Sequence, residues 1–455
     1  MQEPLRFRGG LAGALLPFVL FLAGVTWLAL SGAPDEKGFW PVLIAALTLG
    51  LLLARDRKQF CDVALAGMSQ PIVMVMIMAW MLAGVLGALL SASGFIGSLA
   101  WLAQAAHLGP SGFVVAAFAA CALVSTATGT SFGTILLAAP LLYPAGGVLG
   151  CSPPVLIGAI LGGATFGDSI SPMSDTTIAS AGTQGADIGG VVRSRLKYVI
   201  PAGALAALAS ALLNGSSHAA ALPGAALVAT SPRGLPMLLV PVLVFVLLLR
   251  KKPLLEGMLL GILTATLLGL ALGLIKPSQI VYLDKAAFSA RGLVVDGISR
   301  GLGATVFTIL LLGMVATLQA TGALDALVAF STRAGQSARR TELWIVGSVS
   351  AAVLLTTHSI VAMLSVGEMA KRTGAAAGLS PYRRANLLDM TVCTWPFLLP
   401  YCVPTILASS ASGAGAPYGL PRVSPLEAGL FNTYSWALFA AIFVAVATGY
   451  GRREA

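Results

Sequence analysis

Charge is what this chain has least of. Only 10% of its 455 residues are Asp, Glu, Lys or Arg, against about 25% in a soluble domain. With 57% in the hydrophobic set, an ordinary soluble globule is excluded. A nucleic-acid module is excluded too, because the excess of 27 Lys and Arg over 17 Asp and Glu sits beside apolar segments, where membrane topology puts it. Cysteine is scarce and scattered: Cys61, Cys121, Cys151, Cys393 and Cys402 form no CxxC pair. That pattern rules out a disulfide scaffold and favours packing roles over metal or redox chemistry. A Walker loop is missing as well, which disfavours ATP-driven pumping.

What is present is a series of apolar stretches, many close to the roughly 20 residues that a helix needs to cross a bilayer core of about 30 Å. The first, Leu11 to Gly32, follows Arg6 and Arg8 and exceeds a signal-peptide core of about 7–15 residues. It reads as an uncleaved span with a cytoplasmic N-terminus, against a weak cleavage-like pattern at Ala29-Leu-Ser-Gly-Ala33. Others run at 39–54, 71–92, 111–128, 132–150, 154–166, 198–213, 235–250, 254–275, 302–319, 343–356, 382–399 and 429–449. The expectation is an all-α, multi-pass protein of a bacterial-type cytoplasmic (inner) membrane, with the lipid bilayer as partner and no nucleic acid.

Several stretches stop at polar, Gly-rich or Pro-rich breaks: Thr126–Ser131, Gly167–Thr177, Thr356–Ser359 and Pro400–Thr405. Unpaired backbone at membrane depth is tolerated only where protein or a wet cavity satisfies it. Laid over itself at an offset of 228 residues, the sequence aligns these breaks without a gap. Gly94 meets Gly322, Thr128 meets Thr356, Ser131 meets Ser359, Pro153 meets Pro381, Pro172 meets Pro400, and Thr177-Ile178 meets Thr405-Ile406. The reading is two transport repeats, 71–215 and 299–443. Two N-terminal transmembrane helices in 1–70 precede them, connecting helices in 216–298 join them, and a short end, 444–455, follows.

Basic residues set their relative orientation. The segment 93–110 has no Lys or Arg, where 321–341 has Arg333, Arg339 and Arg340; 143–156 has none, where 371–384 has Lys371, Arg372, Arg383 and Arg384. The reverse holds for Arg193, Arg195 and Lys197 against a lone Arg422, while 55–70 and 283–298 do not discriminate. Three comparisons of four favour inverted topology, the architecture in which broken helices meet near the midplane.

Most acidic residues lie in connections, but Asp168, Asp175 and Asp389 fall at or near breaks. A carboxylate at membrane depth costs a few kcal/mol even on lenient scales. Around Asp168 and Asp175 stand Ser171, Pro172, Ser174, Thr176 and Thr177. Pro172 breaks the helix, so hydroxyls and carbonyls turn toward a cation, and proton and cation compete for one carboxylate. Asp175 is alternatively an N-cap. Asp389 is balanced between a transport role and an ion pair with an unlocated base. The hairpin residues Thr128, Gly129, Thr130, Ser131, Thr356, Thr357, His358, Ser359 and Thr405 complete the candidate site, with Gly129 and Gly133 allowing the bend. His358 carries a proton or is a satisfied hydrogen-bonding residue. Arg383 and Arg384 either grip a substrate carboxylate or mark topology with snorkelling stems.

The run Thr128-Gly-Thr-Ser-Phe-Gly-Thr134, followed by Phe166-Gly-Asp-Ser-Ile-Ser-Pro-Met-Ser-Asp-Thr-Thr177, resembles the signature of the NhaC-type sodium/proton antiporter family, which includes malate/lactate exchangers. The likeness spans about 71–445. It implies re-entrant hairpins, an elevator-type carrier, a homodimer, transported Na+ and H+ as ligands and no cofactor. The family's acidic pattern falls on Gly167, Asp168, Ser171, Pro172, Ser174, Asp175, Thr176 and Thr177. Its later Leu-Glu-Asp is here Leu387-Leu388-Asp389, and Tyr401-Cys402-Val403 replaces a Trp-Asn-Thr, removing oxygen ligands from the second half-site. The leading expectation is a secondary antiporter exchanging protons for sodium or another monovalent cation. The alternative is a sodium- or proton-coupled carrier of a small organic acid. A sensor without turnover is a third reading, and no Ser-His-Asp grouping points to an enzyme.

Overall fold

The computed structural model describes residues 4–31, 36–216, 230–285, 288–323 and 337–452. Arg333 and part of the cleavage-like pattern, Gly32 and Ala33, lie outside them. The chain is a helical, multi-pass membrane protein. Among the described residues nine helical stretches are long and apolar enough to cross a bilayer, and the only sheet is a hairpin of β1 (Tyr282–Asp284) and β2 (Ser289–Arg291).

In order come α1 (Gly10–Leu30), α2 (Phe39–Leu53), α3 (Arg57–Met68), α4 (Pro71–Ala92), α5 (Phe95–Ala105), α6 (Pro110–Thr128), α7 (Ser131–Val148), α8 (Pro153–Ile170), α9 (Asp175–Gln184) and α10 (Ile188–Ser216). A 3-10 turn leads to α11 (Leu239–Leu249), α12 (Leu254–Ala271) and the short α13 (Pro277–Ile280), then to α14 (Leu293–Gln319). The remainder is α15 (Ala338–Thr356), α16 (Ser359–Ala376), α17 (Pro381–Val392), α18 (Val403–Ser412), α19 (Pro425–Leu430) and α20 (Thr433–Thr448). Proline opens α4, α6, α8, α17 and α19, where its missing N–H costs nothing and its φ is already helical.

The region before α4 holds a third, more polar helix beside α1 and α2. The third, α3, opens with Arg57-Lys58-Gln59 and is capped by Asp56, which accepts from Gln59 N at 3.0 Å, so the apolar-run criterion passed over it. Five further helices, α5, α9, α13, α16 and α18, also fall outside the predicted runs, because each is short or carries polar side chains.

Helix limits recur at the 228-residue offset. The ends of α6, α7 and α9 reappear at those of α15, α16 and α18, residue for residue. Backbone conformation recurs too: Gly94 and Gly322 share φ 75°, and Gly129 at 70° is matched by Thr357 at 56°. Small residues let the principal pairs approach. A Cβ at Gly163 or Gly167 of α8 would strike the backbone of α6, and one at Gly84 of α4 would strike Gly297 of α14, the small-residue packing typical of helices in lipid. Large apolar side chains on the outer faces of α1, α6, α10 and α12, among them Trp27, Leu123, Leu212 and Leu267, are exposed, as a lipid-facing surface requires.

Three arginines used to orient the repeats are not snorkelling markers. Arg195, Arg383 and Arg384 are buried in protein contacts, while Arg193, Arg339, Arg340, Lys371 and Arg372 stay exposed.

Candidate functional site

The breaks converge on one cavity. About 60 Å³ in volume, it is walled by Gly129–Phe132 and Asp168 with Ser174–Thr176, and on the other side by Thr357–Ile360, Pro396, Phe397, Val403 and Pro404. The two walls are counterparts at the 228-residue offset. That room suits a few waters or an ion with part of its shell.

Local chemistry explains each wall. At the α6–α7 break Gly129 takes φ 70°, and a Cβ there would stand 2.7 Å from the Met173 backbone, so glycine alone fits. Thr130 caps α7, accepting from Gly133 N at 3.2 Å. Ser131, the first residue of α7, donates to Asp168 Oδ2 at 2.8 Å. Asp168 is 7% exposed near the end of α8, whereas Asp175, the first residue of α9, is exposed on the open side of the cavity. The cap of α9 is Ser174, whose hydroxyl lies 3.0 Å from that of Thr176. The expectation of Asp175 as an N-cap is thereby corrected.

In the second wall Thr357 holds the left-handed conformation that Gly129 holds in the first. Among the described residues its hydroxyl and His358 Nδ1 are buried without a hydrogen-bond partner. Ser359 donates to Val392 O at 3.2 Å. First residues of α7, α9, α16 and α18 all line the cavity. Each helix N-terminus carries roughly half a positive charge, so four of them roughly match two carboxylates.

Six predicted residues stand back from the lining. Thr128 and Thr356 bond to carbonyls one turn earlier, at 2.9 and 2.8 Å. Ser171 accepts from Met173 N at 3.2 Å, and Thr405 donates to Leu399 O at 2.6 Å. Thr177 accepts from Arg195 Nη1 at 3.0 Å.

Asp389 is the sixth, and its unlocated base is Arg195. The pair is 2.8 Å apart and fully buried. Arg195 also donates to Ser169 O at 2.8 Å and Asn386 Oδ1 at 3.1 Å. Asp389 accepts from Ser180 at 3.1 Å and Thr176 at 3.4 Å, so it touches the cavity only through Thr176. Arg383 and Arg384 grip no cavity group either: Arg383 bonds Glu342 at 2.8 Å, and Arg384 bonds Gln184 at 3.0 Å. Among the described residues no Lys or Arg lines the cavity. Sequence reasoning missed Phe132, Ile360, Pro396, Phe397, Val403 and Pro404 because their apolar side chains look like core. Outside the spans, Asp187 accepts from Tyr382 Oη at 2.6 Å and Gly190 N at 2.7 Å, and the tyrosine bond foremost holds its carboxyl below the usual aspartate range.

Residues 63–213 match the sequence profile of the Na+/H+ antiporter family. The chain is 32% identical over 178 residues to the Malate-2H(+)/Na(+)-lactate antiporter of Bacillus subtilis (strain 168), covering 38% of this chain and 37% of that protein. It is 29% identical over 198 residues to the Na(+)/H(+) antiporter NhaC of Alkalihalophilus pseudofirmus, covering 42% and 40%. A shorter match, 35% over 106 residues, is to the Arginine/ornithine antiporter ArcD of Halobacterium salinarum, covering 23% and 22%. The matched parts span less than half the length of these relatives, which are transporters rather than enzymes. Residues 63–213 are thus similar to the Na+/H+ antiporter family, and about two fifths of the chain is similar to sodium/proton and malate/lactate antiporters.

Proposed function

We propose that the protein is a secondary antiporter exchanging protons for sodium or another monovalent cation, with Asp168 as the buried cation- and proton-binding carboxylate and Asp175 as its partner at the mouth. One observation carries this reading: both carboxylates border a cavity lined in part by hydroxyls and, among the described residues, by no lysine or arginine. A hard monovalent cation takes oxygen ligands of this kind, and a proton competes for the same oxygens. Ser131, Ser174 and Thr176 supply hydroxyls beside the carboxylates, and Thr357 and His358 supply polar atoms opposite that have no partner among the described residues.

The wider reading comprises two inverted repeats, 71–215 and 299–443, working as an elevator in a homodimer of a bacterial-type cytoplasmic membrane. The recurring helix limits support the duplication; the elevator and the dimer rest on the family likeness. A cytoplasmic N-terminus is supported by the pairing of residues 6–8 with 53–55. That pairing gathers Arg6, Arg8, Arg55, Arg57 and Lys58 at one end of α1 and α2.

A second reading, proton- or sodium-coupled exchange of a small organic acid, draws on the four helix N-termini and on the malate/lactate relative. With both aspartates protonated, those N-termini would hold a carboxylate. The test is internal pH of proteoliposomes after an external sodium jump, without organic solute, for wild type, Asp168→Asn and Asp175→Asn. Sodium-dependent proton movement lost in Asp168→Asn supports cation/proton antiport. Movement that requires malate or lactate supports the second reading, and wild-type flux in both folded variants refutes the aspartate site.

A further inference from the structure

The two walls of the transport cavity differ in the atoms they offer a cation. At the 228-residue offset His358 stands where the first wall has Thr130, Pro396 where it has Asp168, Val403 where it has Asp175 and Pro404 where it has Thr176. The second wall is therefore largely apolar, with Ile360 and Phe397 beside those residues, and its Ser359 hydroxyl is committed to Val392 O. Two of its side chains keep a buried polar atom with no partner among the described residues: the Thr357 hydroxyl, on a residue 3% exposed, and His358 Nδ1. Buried polar groups are normally paired, so two such atoms at one cavity point to a ligand that pairs with both.

The donor set indicates which ligand. Two carboxylates call for a cation, but a hard alkali ion favours oxygen over imidazole nitrogen. Among the described residues no group of three His, Cys, Asp or Glu side chains could hold a metal ion. A cation bearing N–H groups differs on both counts. With its own proton on Nε2, His358 accepts at Nδ1 as a hydroxyl or carboxylate oxygen would. Hydrogen bonds from a charged nitrogen reach about 2.7–2.9 Å, where zinc-type ligation needs roughly 2.0–2.2 Å. Phe132 and Phe397 border the cavity from opposite walls, and aromatic surface attracts organic cations. Its volume of about 60 Å³ exceeds the roughly 10–15 Å³ that one water-sized group occupies, which leaves room for a methyl group. We infer that the cavity takes ammonium or a small primary alkylammonium in preference to sodium or potassium, with Asp168, Asp175, Thr357 and His358 as the four acceptors. This inference rests on the cation reading of the same site and narrows it to cations that carry N–H donors.

The test uses the full chain in detergent micelles at fixed pH and ionic strength, balanced with choline chloride, whose quaternary cation has no N–H. Thermal unfolding is followed against sodium, potassium, ammonium and methylammonium chlorides. Ammonium and methylammonium should half-saturate at concentrations at least about tenfold below sodium and potassium, the worth of one hydrogen bond to a charged group. In His358→Leu, which removes an acceptor, the ratio of sodium to ammonium half-saturation should fall at least about fivefold. Thr357→Val repeats the measurement at the second acceptor if His358→Leu does not fold. Sodium or potassium binding as tightly as ammonium in wild type overturns the inference, and so does a preference that survives in a folded variant. Absence of stabilisation by any cation, in wild type and Asp168→Asn alike, overturns the cation site and this inference with it. Sodium-driven proton flux in proteoliposomes without an ammonium preference overturns the inference and leaves cation/proton antiport standing. Selective ammonium binding with no proton flux under any cation counts against antiport alone.

Discussion

The buried Arg195–Asp389 pair joins two halves of the chain, and removing one partner tests what Asp389 is for. Both side chains are fully buried 2.8 Å apart, so Asp389→Asn leaves an uncompensated guanidinium, a change that costs about 3–5 kcal/mol in comparable sites. Three other acceptors remain to Arg195, on Ser169, Thr177 and Asn386, which favours the lower end of that range. Arg195→Met should cost at least as much, because it strands the carboxylate and the Asn386 carbonyl together. The double variant Arg195→Met/Asp389→Asn buries no charge, and replacing a buried ion pair by uncharged side chains of similar size is often close to neutral. It should therefore be more stable than either single variant, with a coupling energy of about 3 kcal/mol. Reversible unfolding in mixed micelles closes the cycle. Additivity within about 0.5 kcal/mol refutes the pair as a structural unit. Wild-type stability with lost flux in Asp389→Asn would instead make Asp389 a transport carboxylate.

Gly129→Ala should destabilise by about 2–4 kcal/mol, since the left-handed conformation costs a side chain about 1–2 kcal/mol and its Cβ would meet the Met173 backbone at 2.7 Å. Thr357→Gly should stabilise by roughly 0.5–1 kcal/mol, the strain relieved outweighing the glycine entropy; thermal melts of the two variants check both signs. Outside the membrane, the depressed Asp187 carboxyl predicts that its hold on Gly190 N persists above the ordinary aspartate pKa of about 3.9. That hold disappears as pH falls through the lower folded value. Tyr382→Phe should move the loss to higher pH, read as hydrogen exchange of the Gly190 amide. An unmoved profile would mean that the tyrosine bond does not set the shift.

Backbone organisation was legible because breaks in lipid have local causes. Pro153, Pro381 and Gly129 act on their own turns, so the limits of α6, α7 and α8 could be read from neighbouring residues, and the same punctuation returned 228 residues later. The partner of Asp389 was not legible for the opposite reason. Arg195 is 194 positions away in the chain, in the other proposed repeat, and a basic residue near the start of an apolar helix carries the same sequence signal whether it faces headgroups or a buried carboxylate. Glu342 hid Arg383 in the same way. Cavity residues such as Phe132 and Val403 escaped notice because apolar side chains at helix starts carry no chemical label, even though their main chain supplies the helix N-termini.

At the offset of 228 residues the backbone of the cavity is duplicated but its chemistry is not. Asp168 faces a counterpart Pro396, Asp175 faces Val403 and Thr176 faces Pro404, while Thr130 faces His358. All the lining carboxylates thus come from one half, and the helix N-termini come equally from both. A cage with four carboxylates would hold a large net negative charge, which a low dielectric penalises steeply. Two carboxylates against four N-termini of roughly half a charge each leave the site near neutrality. Exchanging one bound proton for one monovalent cation then keeps its total charge constant. In the proposed exchange both loaded states consequently face a similar electrostatic cost in moving through the membrane, and the one-sided placement of the aspartates is what makes the exchange possible.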